Sequence, residues 1–187
     1  MSKQTAIQAL TASPSRFARP AGVATTIGGI MIIGLGAFYV ARPPADTPST
    51  LWLVLSALAA ALTLGGLNAI PLGPGWGRSG LRVGICGMAL FGAAHLVAVA
   101  NADLGILLFS VLALIAGIAL TVAGVAVVRA GVWSGWRRGL LLVCGLLPIT
   151  AIPIGAAIGD TPHFTAIAVW GVCWLLLGIA VTTSTST

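Results

Sequence analysis

Acidic side chains are nearly missing from this chain: Asp46, Asp103 and Asp160 are the only three in 187 residues. Charged residues of both signs make up 6% of it, where a soluble domain carries roughly a quarter. A chain so poor in charge cannot cover itself with a water-compatible surface, so a soluble globular fold is excluded and the solvent must be the bilayer. The one lysine, Lys3, lies in the amino-terminal tail, which rules out a Schiff base inside the bundle. No Gly-rich loop ends in Lys-Ser or Lys-Thr, so ATP-driven transport by this chain alone is excluded. No apolar run contains an acid, which argues against most proton- or sodium-coupled carriers, and no row of arginines serves voltage sensing. The three cysteines, Cys86, Cys144 and Cys173, form no C-x-x-C pair and sit inside apolar runs, where thiols act mostly as small hydrophobes.

What the chain does have is hydrophobic length, at 58% apolar residues. A membrane-spanning helix needs about 20 residues, because the hydrocarbon core is about 30 Å thick and each residue rises 1.5 Å. Six runs meet that length: Ala21–Ala41, Thr50–Ile70, Leu81–Ala100, Leu104–Val128, Gly139–Ile158 and Phe164–Thr182. The sequence therefore predicts an all-α membrane protein, a six-helix transmembrane bundle over residues 21–182, with tails at 1–20 and 183–187. The polar segment Met1 to Arg19 is similar to the n-region of a secretory signal. The apolar run after it is too long for an h-region and closes on no A-x-A site, so an uncleaved first span is expected. Lys3 to Leu10 has two readings, a short interfacial helix or a disordered tail. The connections are short, which makes sequence neighbours antiparallel hairpins.

Charge orients the bundle. With the amino terminus in the cytoplasm, the inner segments hold Lys3, Arg16, Arg19, Arg78, Arg82, Arg129, Arg137 and Arg138, eight of the nine basic residues. Arg42 and all three aspartates fall outside. The positive-inside rule thus places both termini in the cytoplasm. Trp133-Ser-Gly-Trp-Arg-Arg138 reads as an inner boundary turn, indoles at the headgroups and arginines beyond them. The basic residues are scattered beside apolar runs and form no contiguous face, so no nucleic-acid partner is expected. The bilayer is the expected surrounding, with a small apolar ligand or a membrane-protein partner as the candidate occupant.

A candidate repeat links spans two–three to spans four–five. Gly75-Trp-Gly-Arg-Ser-Gly-Leu81 and Gly135-Trp-Arg-Arg-Gly-Leu140 precede Cys86-Gly87 and Cys144-Gly145, and Thr63 with Gly66 echoes Thr121 with Gly124. A parallel duplication of one helical hairpin and simple convergence of inner turns both account for it. Small residues four apart, such as Gly80 with Gly84 and Ala113 with Gly117 and Thr121, predict close helix packing.

The candidate chemistry gathers on the outer face. His95 lies five residues from Ala100, about 8 Å below the boundary at the helical rise. A titratable side chain inside a span is a functional candidate. Asn101, Asp103, Asp160 and His163 join it on the same surface, where Asp160-Thr-Pro-His163 reads as a turn. Either these form a polar site at the bundle mouth, or His95 bonds a neighbouring helix and the aspartates solvate loops. The spacing fits no metal site. Pro148 and Pro153 interrupt span five and free backbone carbonyls, for one of which Thr150 offers a hydroxyl. Trp170 and Trp174, four apart, share a helical face that packs inward or lines an apolar pocket. Asn68 reads as a cap or a helix bridge, and Tyr39 and Trp52 as outer boundary anchors.

From Gly135-Trp-Arg-Arg through Trp170-Gly-Val-Cys-Trp-Leu-Leu-Leu-Gly178, in the carboxyl-terminal third of the chain, the sequence resembles small multispan integral membrane proteins of actinobacteria, most of them uncharacterised. The resemblance implies a bacterial inner (cytoplasmic) membrane and carries no activity and no cofactor with it. Two functions follow as expectations. One is a non-enzymatic membrane protein that binds or passes a small apolar or weakly polar molecule, or supports a larger membrane complex. The other is a membrane-embedded enzyme acting on a lipid or isoprenoid, with His95 and the outer-face aspartates as acid–base groups.

Overall fold

The computed structural model describes residues 17–43 and 48–184. Lys3, Arg16, Asp46 and the segment from Lys3 to Leu10 lie outside the described residues. The described residues form helices joined by short connections: α1 (Ala18–Ala41), α2 (Thr50–Asn68), α3 (Trp76–Ala100), α4 (Ala102–Ala130), a 3₁₀ turn (Gly135–Gly139), α5 (Leu140–Ile149), α6 (Ala151–Ile158) and α7 (Asp160–Thr183). With α5 and α6 taken together, six segments are long and apolar enough to cross a membrane.

Helices α1, α3, α4 and α7 start before the apolar runs they contain, at Ala18, Trp76, Ala102 and Asp160. Pro20 and Pro162 sit in the first turns of α1 and α7, where a missing N–H costs nothing. Asp160-Thr-Pro-His163 is accordingly the opening turn of α7 rather than a loop. Gly159, at φ 149°, makes the reversal before it. Polar caps fix two other starts. Ser49 accepts from Trp52 N at 3.3 Å, and Asn101 Oδ1 accepts from Leu104 N at 3.0 Å.

Each span packs on its neighbours in sequence, and α7 closes the ring onto α1 through the most extensive contact in the bundle. That contact is a glycine seam. Gly22, Gly29 and Gly36, seven residues apart on α1, face Gly178 and Gly171 on α7 and the backbone at Ala168. A Cβ on Gly36 would stand 2.7 Å from Ala168 N, and one on Gly171 would stand 2.6 Å from Ile33 N. A Cβ on Gly29 would run into Leu175 N. A seven-residue repeat of bare backbone keeps the close face turned to the partner along the whole pair.

The pair α3–α4 repeats the device, with Gly77, Gly80, Gly84 and Gly87 against Ala126, Val122, Leu120 and Ala116. Between α1 and α2 a buried hydroxyl joins the helices: Thr25 Oγ1 donates to the Leu62 carbonyl at 3.3 Å and accepts from Gly66 N at 2.8 Å.

The charges separate to the two ends of this ring. Arg19, Arg78, Arg82, Arg129, Arg137 and Arg138 belong to the end where Gly22 meets Thr182 and Gly124 meets Leu142. Arg42, Asp103 and Asp160 belong to the other, where Tyr39 meets Ser49 and Gly155 meets His163. At the basic end Gly131, at φ 62°, terminates α4, and Val132 N reaches back to the Val127 carbonyl. Arg138 then donates from Nε and Nη2 to the Val128 carbonyl at 3.0 and 2.8 Å. Trp76 and Trp136 are exposed there, beneath the guanidiniums of Arg129 and Arg137, while Trp133 turns into the core.

Candidate functional site

The site begins with a proline. Residue 148 has no N–H to give to the carbonyl four residues back, at Cys144. The indole of Trp170 on α7 supplies the missing donor, Nε1 to the Cys144 carbonyl at 2.9 Å. Two residues later Thr150 leaves helical geometry, at φ −127° and ψ −83°, and its N–H takes the Leu147 carbonyl instead of Leu146. Its own Oγ1 donates to the Leu146 carbonyl at 2.8 Å. Helix α6 restarts at Ala151 on a new course and packs on α7, with Gly155 so close that a Cβ would lie 2.9 Å from His163 Cα.

The consequence is a gap. Helix α5 packs on α4 through Gly117, Thr121 and Gly145, but no Cα of α6 comes within 8 Å of α4. Behind that gap lies a cavity of about 380 Å³, walled by side chains from all six spans and reaching from the aspartate-bearing end to mid-bundle. Its volume falls in the ~300–1,000 Å³ range of small-molecule sites. Ser110 and Leu114 of α4 and Pro153 and Ala156 of α6 line it while also standing on the exposed surface, so the cavity opens sideways between these two helices.

His95 is the polar centre of its wall, 2% exposed. Its Nδ1 lies 2.8 Å from the Phe91 carbonyl. That carbonyl can only accept, so in the neutral ring Nδ1 carries the proton and Nε2 bears the lone pair. Aromatic rings hold the imidazole in place: Phe109 stacks on it at 4.7 Å and 15°, Phe91 meets it edge-on at 4.6 Å, and Trp52 lies tilted at 5.8 Å. Nε2 has no protein partner among the described residues and opens on the cavity.

Of the other sequence candidates, His163 and Trp170 also line the cavity. His163 Nδ1 contacts the Ile152 carbonyl at 3.3 Å, which ties the start of α7 to α6. Asp103 and Asp160 do not line it; each sits in the first turn of its helix, where a carboxylate faces the positive end of the helix dipole. Asn101 caps α4. Thr150 and Trp174 lie off the cavity wall, Thr150 bonded to its own helix and Trp174 enclosed in the core edge-on to Trp170 at 5.8 Å. No group of three or more His, Cys, Asp or Glu among the described residues is arranged to hold a metal ion.

Sequence reasoning missed the aromatic part of the site. Tyr39 and Trp52, read as boundary anchors, turn inward: Tyr39 stacks on Phe164 at 4.9 Å and accepts from Ser49 N at 3.2 Å, and Trp52 reaches His95. Phe91 precedes His95 by one helical turn, and that spacing is the one signal in the sequence that could have found a partner for the ring. The chain matches no protein-family model, no curated protein and no solved structure.

Proposed function

We propose that this chain is a non-enzymatic membrane protein that binds a small apolar or weakly polar molecule in the cavity beside His95. The single observation behind this reading is the cavity itself, with its walls drawn from all six spans and its open side between α4 and α6. A void of that size lined by Phe91, Phe109, Ile152 and Trp170 holds apolar matter more readily than water, which needs two or more polar partners. An enzyme using His95 with a carboxylate has no aspartate on this wall to support it.

The orientation proposed is both termini in the cytoplasm, supported by the gathering of arginines at one end, and the membrane proposed is a bacterial inner membrane. A reporter fused at Asp103 should then read as outside, and a cytoplasmic signal there overturns the orientation. Spans two–three and four–five fit one duplicated hairpin, with Gly75 and Gly135, both at positive φ, ahead of the two Trp-Arg turns.

Extraction in mild detergent followed by mass spectrometry of co-purifying small molecules tests the binding role. The wild-type protein should carry one species near one per chain. Ala113→Trp, which fills the cavity from α4, should lose it. Equal recovery from both, or none from the wild type, contradicts the proposal.

A further inference from the structure

Resting on that binding role, we propose that the ligand is a hydroxyl-bearing apolar molecule, an alcohol or phenol of the lipid phase. It reaches the cavity sideways between α4 and α6 and donates its hydroxyl proton to His95 Nε2.

The cavity's polar groups are biased toward accepting: the one unpartnered donor on a lining residue, Trp52 Nε1, is enclosed and offers almost no surface to a guest. His95 spends its one N–H on the Phe91 carbonyl at 2.8 Å and is left with a bare lone pair. Ser110 spends its hydroxyl proton on the Ile106 carbonyl at 2.7 Å, so its oxygen too can only accept. His163, with Nδ1 turned to the Ile152 carbonyl, presents a third acceptor nearer the aspartate-bearing end. No carboxylate lines the cavity to hold a cation or to pair with an imidazolium. The complementary guest is therefore neutral and brings one donor of its own.

Shape and route complete the description. Phe109 and Phe91 flank the imidazole at 4.7 and 4.6 Å between ring centres, so a flat or branched apolar body fits beside them with its donor at Nε2. The open flank is lined by Leu114, Pro153 and Ala156, all of which are exposed. A guest arriving from the acyl chains meets no charged side chain along it. An ether or hydrocarbon of the same outline would fill the space and leave the lone pair of His95 unmet, which is the basis of discrimination.

The test uses the full chain in nanodiscs, with binding measured against empty nanodiscs of the same lipid. The probes are 2-naphthol and 2-methoxynaphthalene, in which a methyl group replaces the donor proton on the same ring system. 2-Naphthol should bind saturably, about tenfold more tightly than the ether, the usual worth of one well-placed hydrogen bond. His95→Phe keeps a ring to stack on Phe109 and removes the acceptor, and it should bring the two probes to equal affinity. If the alcohol and the ether bind the unaltered protein equally, the donor requirement is wrong while the binding role stands. A preference that survives His95→Phe also overturns the assignment to His95. If neither probe binds saturably, the binding role itself fails. The alcohol–ether comparison on the unaltered protein needs no variant to fold.

Discussion

At Cys144 a carbonyl that its own helix cannot satisfy finds its partner 26 residues away, in the indole of Trp170. In a bilayer, water cannot take over that bond, so the proline at 148 is tolerated because α7 brings a donor to the spot. Trp170→Phe preserves the ring and removes the N–H. It should lower stability by about 1–2 kcal/mol, read as earlier thermal unfolding in detergent. An unchanged unfolding temperature would mean that the carbonyl finds another donor.

How much of this was legible in the sequence differs from residue to residue. That Pro148 frees a carbonyl follows from one residue's chemistry; that Thr150 bonds Leu146, a carbonyl left open by the break at Thr150 itself and not by either proline, does not. That the donor to Cys144 is Trp170 depends on which helix closes the ring, and no local pattern carries that. His95 stood out as a lone titratable group in a span. Its aromatic surround did not, because Trp52 and Phe109 come from other helices.

Among the elements, the α1–α7 pair shows what glycine does where no hydrophobic force drives helices together. The periodic glycines at 22, 29 and 36 were visible as letters. Their partners at 171 and 178 lie at the other end of the chain, so only the closed ring reveals the seam. The nearer pairs, Gly80 with Gly84 and Gly117 with Thr121, could be read because their helices adjoin in sequence. Gly29 and Gly34 offer a matched comparison. A Cβ at Gly29 runs into the backbone of Leu175, whereas at Gly34 nothing lies within 4 Å. Gly29→Val should cost at least about 1–3 kcal/mol and broaden the size-exclusion peak. Gly34→Val should stay within about 0.5 kcal/mol of the wild type. Since both exchange glycine for the same β-branched residue in one helix, propensity cancels and the difference measures the seam. Equal effects would show that α1 does not meet α7 through this face.

On the scale of the whole molecule, six spans close into a ring that is tight wherever glycine and alanine face a neighbour and open at one flank. The span count and the partition of charge between ends were legible, since hydropathy length and the positions of the arginines are local properties. The open flank was not. It arises because the break at Thr150 turns α6 onto α7 and leaves the aspartate-bearing half of α4 packed on α3 but not on α6, which is a matter of axis direction. Cavity, access and ligand chemistry all depend on α4 and α6 standing apart. Disulfide trapping in membranes, with Cys86, Cys144 and Cys173 replaced by alanine, measures this directly. A disulfide needs Cα atoms within about 7 Å. The pair Gly92→Cys and Ala60→Cys, whose Cβ atoms would lie 3.3 Å apart, should close readily. The pair Ser110→Cys and Ala156→Cys, across the flank, should remain reduced under the same oxidant. Closure of the second pair as fast as the first would mean that α6 lies against α4, with no opening to the bilayer between them.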